Sequence, residues 1–114
     1  MPIIKNQIGG HVGTLDTANV SYQITDLASP NTSFETVTGM GIARLLWTGD
    51  WKITQGNTTL FQTGANTSGV WDISSEGIVL MNPSDNSANL VANTAGSTST
   101  LVMVLTKYAT NLGI

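Results

Sequence analysis

Hydrophobic and polar positions fall into short strand-like stretches along this chain, separated by turn signals. Val20-Ser21-Tyr22-Gln23-Ile24-Thr25 is the clearest case and reads as a half-buried strand. Phe34 to Thr38 also reads as a strand, Gly39-Met40-Gly41 punctuates it, and Ile42 to Trp47 follows. The last run contains helix formers but is short, lacks caps and is fenced by glycines, so it is read as a strand. The segment Arg44 to Gln62 reads as strand, turn, strand, turn, strand. Thr48-Gly49-Asp50 predicts a three-residue hairpin connection, and Gly56-Asn57 a two-residue one. The second loop would set Ile53 opposite Leu60 and Trp51 opposite Gln62.

Val70 to Ile73 and Ile78 to Met81 flank Ser74-Ser75-Glu76-Gly77, which predicts a further hairpin. Asn82 to Ser87 is the most polar loop, and Asn89 to Asn93 a short strand. Leu101-Val102-Met103-Val104-Leu105 is apolar at every position, so Thr98 to Tyr108 should be a central strand covered on both faces. The sum is an all-β chain: a single antiparallel β-sandwich or jelly-roll-like domain of 8–9 short strands. Residues 1–19 break the pattern, with Ile3, Ile4, Ile8, Val12 and Leu15 strung between glycines. They are read as an extended N-terminal arm, preceding a sandwich domain over 20–114.

Composition narrows the function classes. The 114 residues include no cysteine, which removes disulfides and thiolate chemistry. Four Lys and Arg residues, Lys5, Arg44, Lys52 and Lys107, are too few and too scattered to track phosphates or an anionic membrane. Neither nucleic acid nor membrane is expected as a partner. The first ten residues lack the apolar run of a signal peptide. About a third of the chain is Ser, Thr or Asn, so the exterior is polar but ion-poor. Such a surface can be covered by neighbours without desolvating many charges. The reading as an assembly surface stands beside the plainer one of a Thr-rich soluble domain.

Candidate chemistry is sparse. His11, the single histidine, sits among glycines with no orienting partner. Asp72 to Gly77 begins like a calcium loop, but its twelfth position is Pro83, so a hairpin turn is favoured. Gly39-Met40-Gly41-Ile42-Ala43-Arg44 lacks the last glycine of a dinucleotide fingerprint. The Asn-x-Ser/Thr triplets at Asn19, Asn31, Asn57 and Asn66 are ordinary in a chain so rich in these residues. No acid–base pair, nucleophile, metal set or cofactor site emerges, so no enzyme is expected. Trp47, Trp51 and Trp71 are the one aromatic constellation. Core packing is the favoured role, with a subunit interface or a sugar-stacking platform as alternatives.

The run Trp47-x-Gly49-x-Trp51-x-Ile53-x-x-Gly56-Asn57, continuing through Leu60-Phe61 to Gly69-Val70-Trp71-Asp72-Ile73 and Gly77, resembles small virion proteins of tailed phages. The likeness is to small β proteins of marine phages and covers roughly residues 45–107. It implies a capsid decoration, or cement, protein located in the virion and assembled in the host cytoplasm. The partners implied are the major capsid protein or other virion subunits, with self-association as a dimer or trimer. Ile3, Ile4, Ile8, Val12 and Leu15 are the expected partner contacts, although the arm lies outside the resemblance. A tail or head–tail connector component and a carbohydrate-binding module are the alternatives.

Overall fold

The computed structural model describes residues 3–6, 11–27, 35–96 and 98–111. Nine strands form among the described residues: β1 (Ile3–Asn6), β2 (His11–Asp16), β3 (Val20–Tyr22), β4 (Glu35–Thr48), β5 (Lys52–Gln55), β6 (Thr58–Gln62), β7 (Ser68–Asp72), β8 (Leu90–Asn93) and β9 (Thr100–Asn111). Single 3-10 turns occupy Ile24–Leu27 and Ile73–Glu76. Sheet A has the order β1-β2-β9-β4-β7 and sheet B the order β3-β8-β5-β6. Every pairing is antiparallel. The chain is an all-β sandwich.

The pairings are nested. β5 pairs β6, β4 pairs β7, β3 pairs β8 and β2 pairs β9. The four pairs are therefore concentric about the turn at Gly56-Asn57. Additional ladders β4–β9 and β5–β8 close the two sheets.

The core lies between the sheets. Val12, Val37, Met40, Ile42, Leu45, Leu101, Met103 and Leu105 enter it from sheet A, and Tyr22, Ile53, Leu90 and Ala92 from sheet B. Leu27 and Ile73, one on each 3-10 turn, plug its margins. β9 is central in sheet A, pairing β2 on one side and β4 on the other, but the expected cover on both faces is absent: Leu101, Met103 and Leu105 are buried while Val102 and Val104 lie on the outer face.

Several expected connections differ. Thr48-Gly49-Asp50 is no hairpin loop: β4 belongs to sheet A and β5 to sheet B, so this bend carries the chain between layers. Gly49 makes the bend at φ 86°, and Trp51, just beyond it, fills the interior. The β5–β6 register is Ile53 to Phe61 and Lys52 to Gln62, with a bulge that leaves Leu60 unpaired. Glycines 39 and 41 do not divide a strand, since β4 is continuous for 14 residues and absorbs bulges at Val37/Gly39 and Ile42/Arg44. The predicted hairpin at Ser74 to Gly77 is the second 3-10 turn, and Ile78 to Met81 contributes one bridge, Leu80 to Ile42.

The N-terminal segment also corrects the arm reading. β1 and β2 are integral strands of sheet A, and β2 pairs β9 over six residues. Its alternation has no hydrophobic signature in the sequence, because Val12, Thr14 and Asp16 point inward while Leu15 points out. A strand with polar residues on its inner face has no recognisable hydrophobic period.

Candidate functional site: the outer face of sheet A

The two outer faces of the sandwich have different chemistry. On sheet B the outward row is Ser21, Val91, Thr54 and Thr59, in register across β3, β8, β5 and β6. Lys52, Asn93 and Gln62 form the next row. Val91 is the one aliphatic member, and it is half-buried. This face is an ordinary solvated surface.

On sheet A, Leu15 pairs Val102, Val102 pairs Leu46, and Leu46 pairs Val70. All four project away from the core, in the phase opposite to Asp16, Leu101, Leu45 and Trp71. The result is an unbroken apolar row across β2, β9, β4 and β7, about 14 Å wide at a strand spacing of about 4.8 Å. Leu15 is 41 % exposed, Leu46 43 % and Val70 56 %. A dimple of about 190 Å³ lined by Arg44, Leu46, Val102 and Val104 sits beside the row. The residues two positions away on each strand are polar on one side, where Ser68, Thr48 and Thr100 are in register. On the other side stand Asp72, Arg44 and Val104. Thr48 and Thr100 share a hydroxyl–hydroxyl bond of 2.8 Å, and the Thr100 N–H donates to Thr48 Oγ1 at 3.1 Å.

The predicted contact residues divide. Leu15 lies on this row. Val12 is fully buried in the core and reaches no partner. Ile3 packs partly against the core. Ile8 and the side chain of Ile4 lie outside the described residues. Leu46, Val70, Val102 and Val104 were missed, because each falls inside a run that reads as core until the strands are paired.

The tryptophans are interior or semi-interior. Trp51 is fully buried and its Nε1 donates to the Thr48 carbonyl at 3.0 Å, which removes it from any interface. Trp47 and Trp71 flank Phe61 at ring-centroid distances of 4.8 and 6.1 Å, on the inner side of the sheets. Packed edge to face at Trp47–Phe61 and tilted at Phe61–Trp71, these rings do not present the flat open platform that stacks a sugar. A cleft of about 390 Å³ at one end of the sandwich is lined by Thr48, Asp50, Asn66, Thr67 and neighbours, with no aromatic among them.

Two buried polar groups hold the frame. The Tyr22 hydroxyl donates to the Asp16 carboxylate, at 2.9 and 2.8 Å from its two oxygens. Burial raises the Asp16 carboxyl above the ordinary aspartate range, against the lowering effect of the Tyr22 hydrogen bond. Burial, then the Asp16 contact, raises the Tyr22 phenol far above its ordinary value. Gln55, also fully buried, bonds Met40, Asn86 and Ala88 carbonyls and accepts from the Asn82 N–H. Both clusters are closed upon themselves and face no cleft.

His11 is exposed, with Nδ1 3.4 Å from Thr106 Oγ1. Asp72 accepts the Ser74 hydroxyl, which marks the 72–77 segment as a self-bonded turn. Among the described residues no cluster of three or more His, Cys, Asp or Glu could hold a metal. Among the same residues no helix is long and apolar enough to cross a membrane. Comparison of the chain with family models, with curated proteins and with solved structures gave no match.

Proposed function

We propose that this chain is a structural virion protein, a decoration subunit that stabilises a phage capsid shell by burying the outer face of sheet A against other subunits. The carrying observation is the apolar row Leu15–Val102–Leu46–Val70, exposed on one face only of a sandwich whose other face is polar. Isolated exposed leucines are commonplace, but a contiguous row across four strands marks an interaction surface. Stabilisation would follow mass action: binding to the assembled shell and not to its dissociated parts favours the shell.

The strand order adds support by analogy. With β1 set aside, β2-β9-β4-β7 faces β3-β8-β5-β6, built from concentric pairs. We read this as a jelly roll, an architecture shared by viral capsid domains, lectins and cupins. Fold alone chooses none of these. The lectin reading lacks an exposed aromatic platform, and the cupin reading lacks a metal set among the described residues.

The test is co-expression with the structural proteins encoded beside this chain, followed by purification of assembled particles. Wild-type protein should be present at a fixed ratio to the shell subunit, and Leu46→Lys protein should be absent. Particles without the wild-type chain refute the reading. Its appearance only on tails or at the portal vertex moves it to a tail or connector role.

A further inference from the structure

We propose that the cleft between the β4–β5, β6–β7 and β8–β9 connections binds a neutral saccharide, held by hydrogen bonds without ring stacking. The site lies at the end of the sandwich, apart from the apolar row of sheet A, and does not depend on the virion reading.

The cleft is built before any ligand arrives. The Gly49 N–H donates to the Thr67 carbonyl at 2.7 Å, and the Gly49 carbonyl accepts the Thr63 hydroxyl at 2.9 Å. The Trp51 N–H donates to Thr63 Oγ1 at 2.9 Å, and the Thr63 N–H donates back to the Trp51 carbonyl at 2.8 Å. The Thr67 hydroxyl closes its own loop on the Gly64 carbonyl at 2.8 Å. Two connections are thereby stapled together, which lowers the ordering cost of binding. The side chains of Asp50, Asn66, Ser68, Thr98 and Ser99 line the cleft and make no hydrogen bond to any described residue.

Ser99 is the telling member. It is 2 % exposed, and its hydroxyl has no partner among the described residues. A buried hydroxyl left unpaired is costly in an isolated domain. The Thr14 hydroxyl and Trp47 Nε1 are also unpaired, but they are sealed in the interior; the Ser99 hydroxyl is not sealed, and its opening is the cleft. Gly49 and Gly96 clear the space around it, since a Cβ on either would collide with Ser99 Oγ. Asn66 stands exposed on the cleft wall at φ 61°, the one non-glycine residue with positive φ among the described residues.

The lining selects the ligand class. No Lys, Arg or His borders the cleft, which disfavours phosphates, sulfates and nucleotides. Asp50 is the single carboxylate, and a volume of about 390 Å³ is that of a small-molecule site rather than of an ion. Ala65 is the one apolar side chain larger than glycine, so a lipid, an aromatic ring or the side chains of a peptide would gain little. A molecule of many hydroxyls fits what remains. Its hydroxyls can donate to the Asp50 carboxylate and the Asn66 amide oxygen, and accept from Ser68, Thr98 and Ser99. A second depression of about 440 Å³, lined by Thr17, Asn19 and Thr94 among others, meets the first at Gly96 and carries no charged side chain. The two together leave room for more than one sugar ring.

The experiment is an amide nitrogen–proton NMR titration of the full chain with the methyl glycosides of glucose, galactose, mannose and N-acetylglucosamine. At least one should shift the amides of residues 48–50, 65–68, 96, 98 and 99, with a Kd in the millimolar range expected of a small ligand held without stacking. Asp50→Ala removes a carboxylate that bonds nothing in the fold, and should weaken binding by about tenfold. Ser99→Ala should weaken it by about fivefold, with the far-UV circular dichroism of both variants unchanged. Leu46→Lys should bind sugar as wild type does, so that failure of capsid docking and failure of this site are read separately. No shift with any of the four glycosides overturns the proposal. So do shifts that map elsewhere, an affinity indifferent to Asp50→Ala, or a cleft that answers to calcium chloride or sodium phosphate in place of the glycosides.

Discussion

Replacing Gln55 with leucine should be among the most damaging single changes available in this chain. Gln55 is fully buried on the inner face of β5. Its Nε2 lies 3.1 Å from the Met40 carbonyl, 3.0 Å from that of Asn86 and 3.3 Å from that of Ala88. Its Oε1 accepts the Asn82 N–H at 2.7 Å. Leucine fills a similar volume but bonds none of these. The Met40 carbonyl and the Asn82 N–H sit in buried residues and would be left without partners. Each such orphan costs about 1–3 kcal/mol. The Asn86 carbonyl keeps the Met40 N–H at 2.8 Å, and Ala88 is half-buried, so these two lose less. The added apolar burial offsets part of the loss.

The net expectation is a destabilisation of about 3 kcal/mol, against a total stability of about 5–15 kcal/mol for a domain. For a chain of this length that is about 12 °C in Tm. Urea denaturation measures it, with Thr54→Val on the outer face of sheet B as a control expected within about 0.5 kcal/mol of wild type. Hydrogen exchange should accelerate in residues 82–88, which Gln55 ties to the sheet edge, before it does in β9. A Gln55→Leu protein less than about 1 kcal/mol below wild type would show that water or backbone adjustment satisfies the orphaned groups. The buried network would then be incidental to the loop's position.

Three further outcomes follow from the geometry. Burial raises the Asp16 carboxyl in the folded state, so the folded protein holds that proton more tightly than the unfolded chain. Stability relative to Asp16→Asn should therefore fall as pH rises from below the ordinary value of about 3.8 through the raised one, as paired urea titrations will show; a constant difference refutes the burial argument. The Tyr22 phenol is likewise raised, so its stabilising effect is complete below pH of about 10 and declines above it, a decline that Tyr22→Phe should lack. Gly69→Ala would set a methyl 2.8 Å from Trp47 Cζ2 and Cη2, a ring already held by Phe61 at 4.8 Å. It should cost about 1–3 kcal/mol and perturb the near-UV signal of the tryptophans; an unchanged spectrum would show that the ring moves freely.

What was legible in the sequence was set by local patterns. The Leu101 to Leu105 run located the central strand, although β9 is covered on its inner face only and Val102 and Val104 lie on the open one. Gly56-Asn57 located the innermost turn of the nested pairs. Information carried by pairing was not legible. Thr48-Gly49-Asp50 has the composition of a hairpin loop, but whether two strands pair or pass to opposite sheets depends on residues far along the chain. The Leu60 bulge shifted the register by one residue without leaving a mark in the turn. The proposed docking face was hidden for the same reason. Leu46 and Val102 lie in apolar runs, and only the β4–β9 register reveals that they share an outer face.

The placement of residues on β2 bears on what the fold was selected for. At adjacent positions Leu15 faces solvent and Asp16 faces the core. For an isolated sandwich this arrangement is unfavourable twice over. A leucine forgoes burial worth about 1.5–3 kcal/mol, and a carboxylate is desolvated with one hydroxyl as partner. Exchanging the two residue types would relieve both terms in a monomer. The inversion makes sense when the outer face of sheet A is itself interior to an assembly. Leu15 then completes a row that is buried, and the Asp16–Tyr22 pair fixes the rotation of β2 that keeps Leu15 in that row. Composition hinted at a surface meant to be covered. Under the proposed function, the phase of one short strand picks out the outer face of sheet A as that surface.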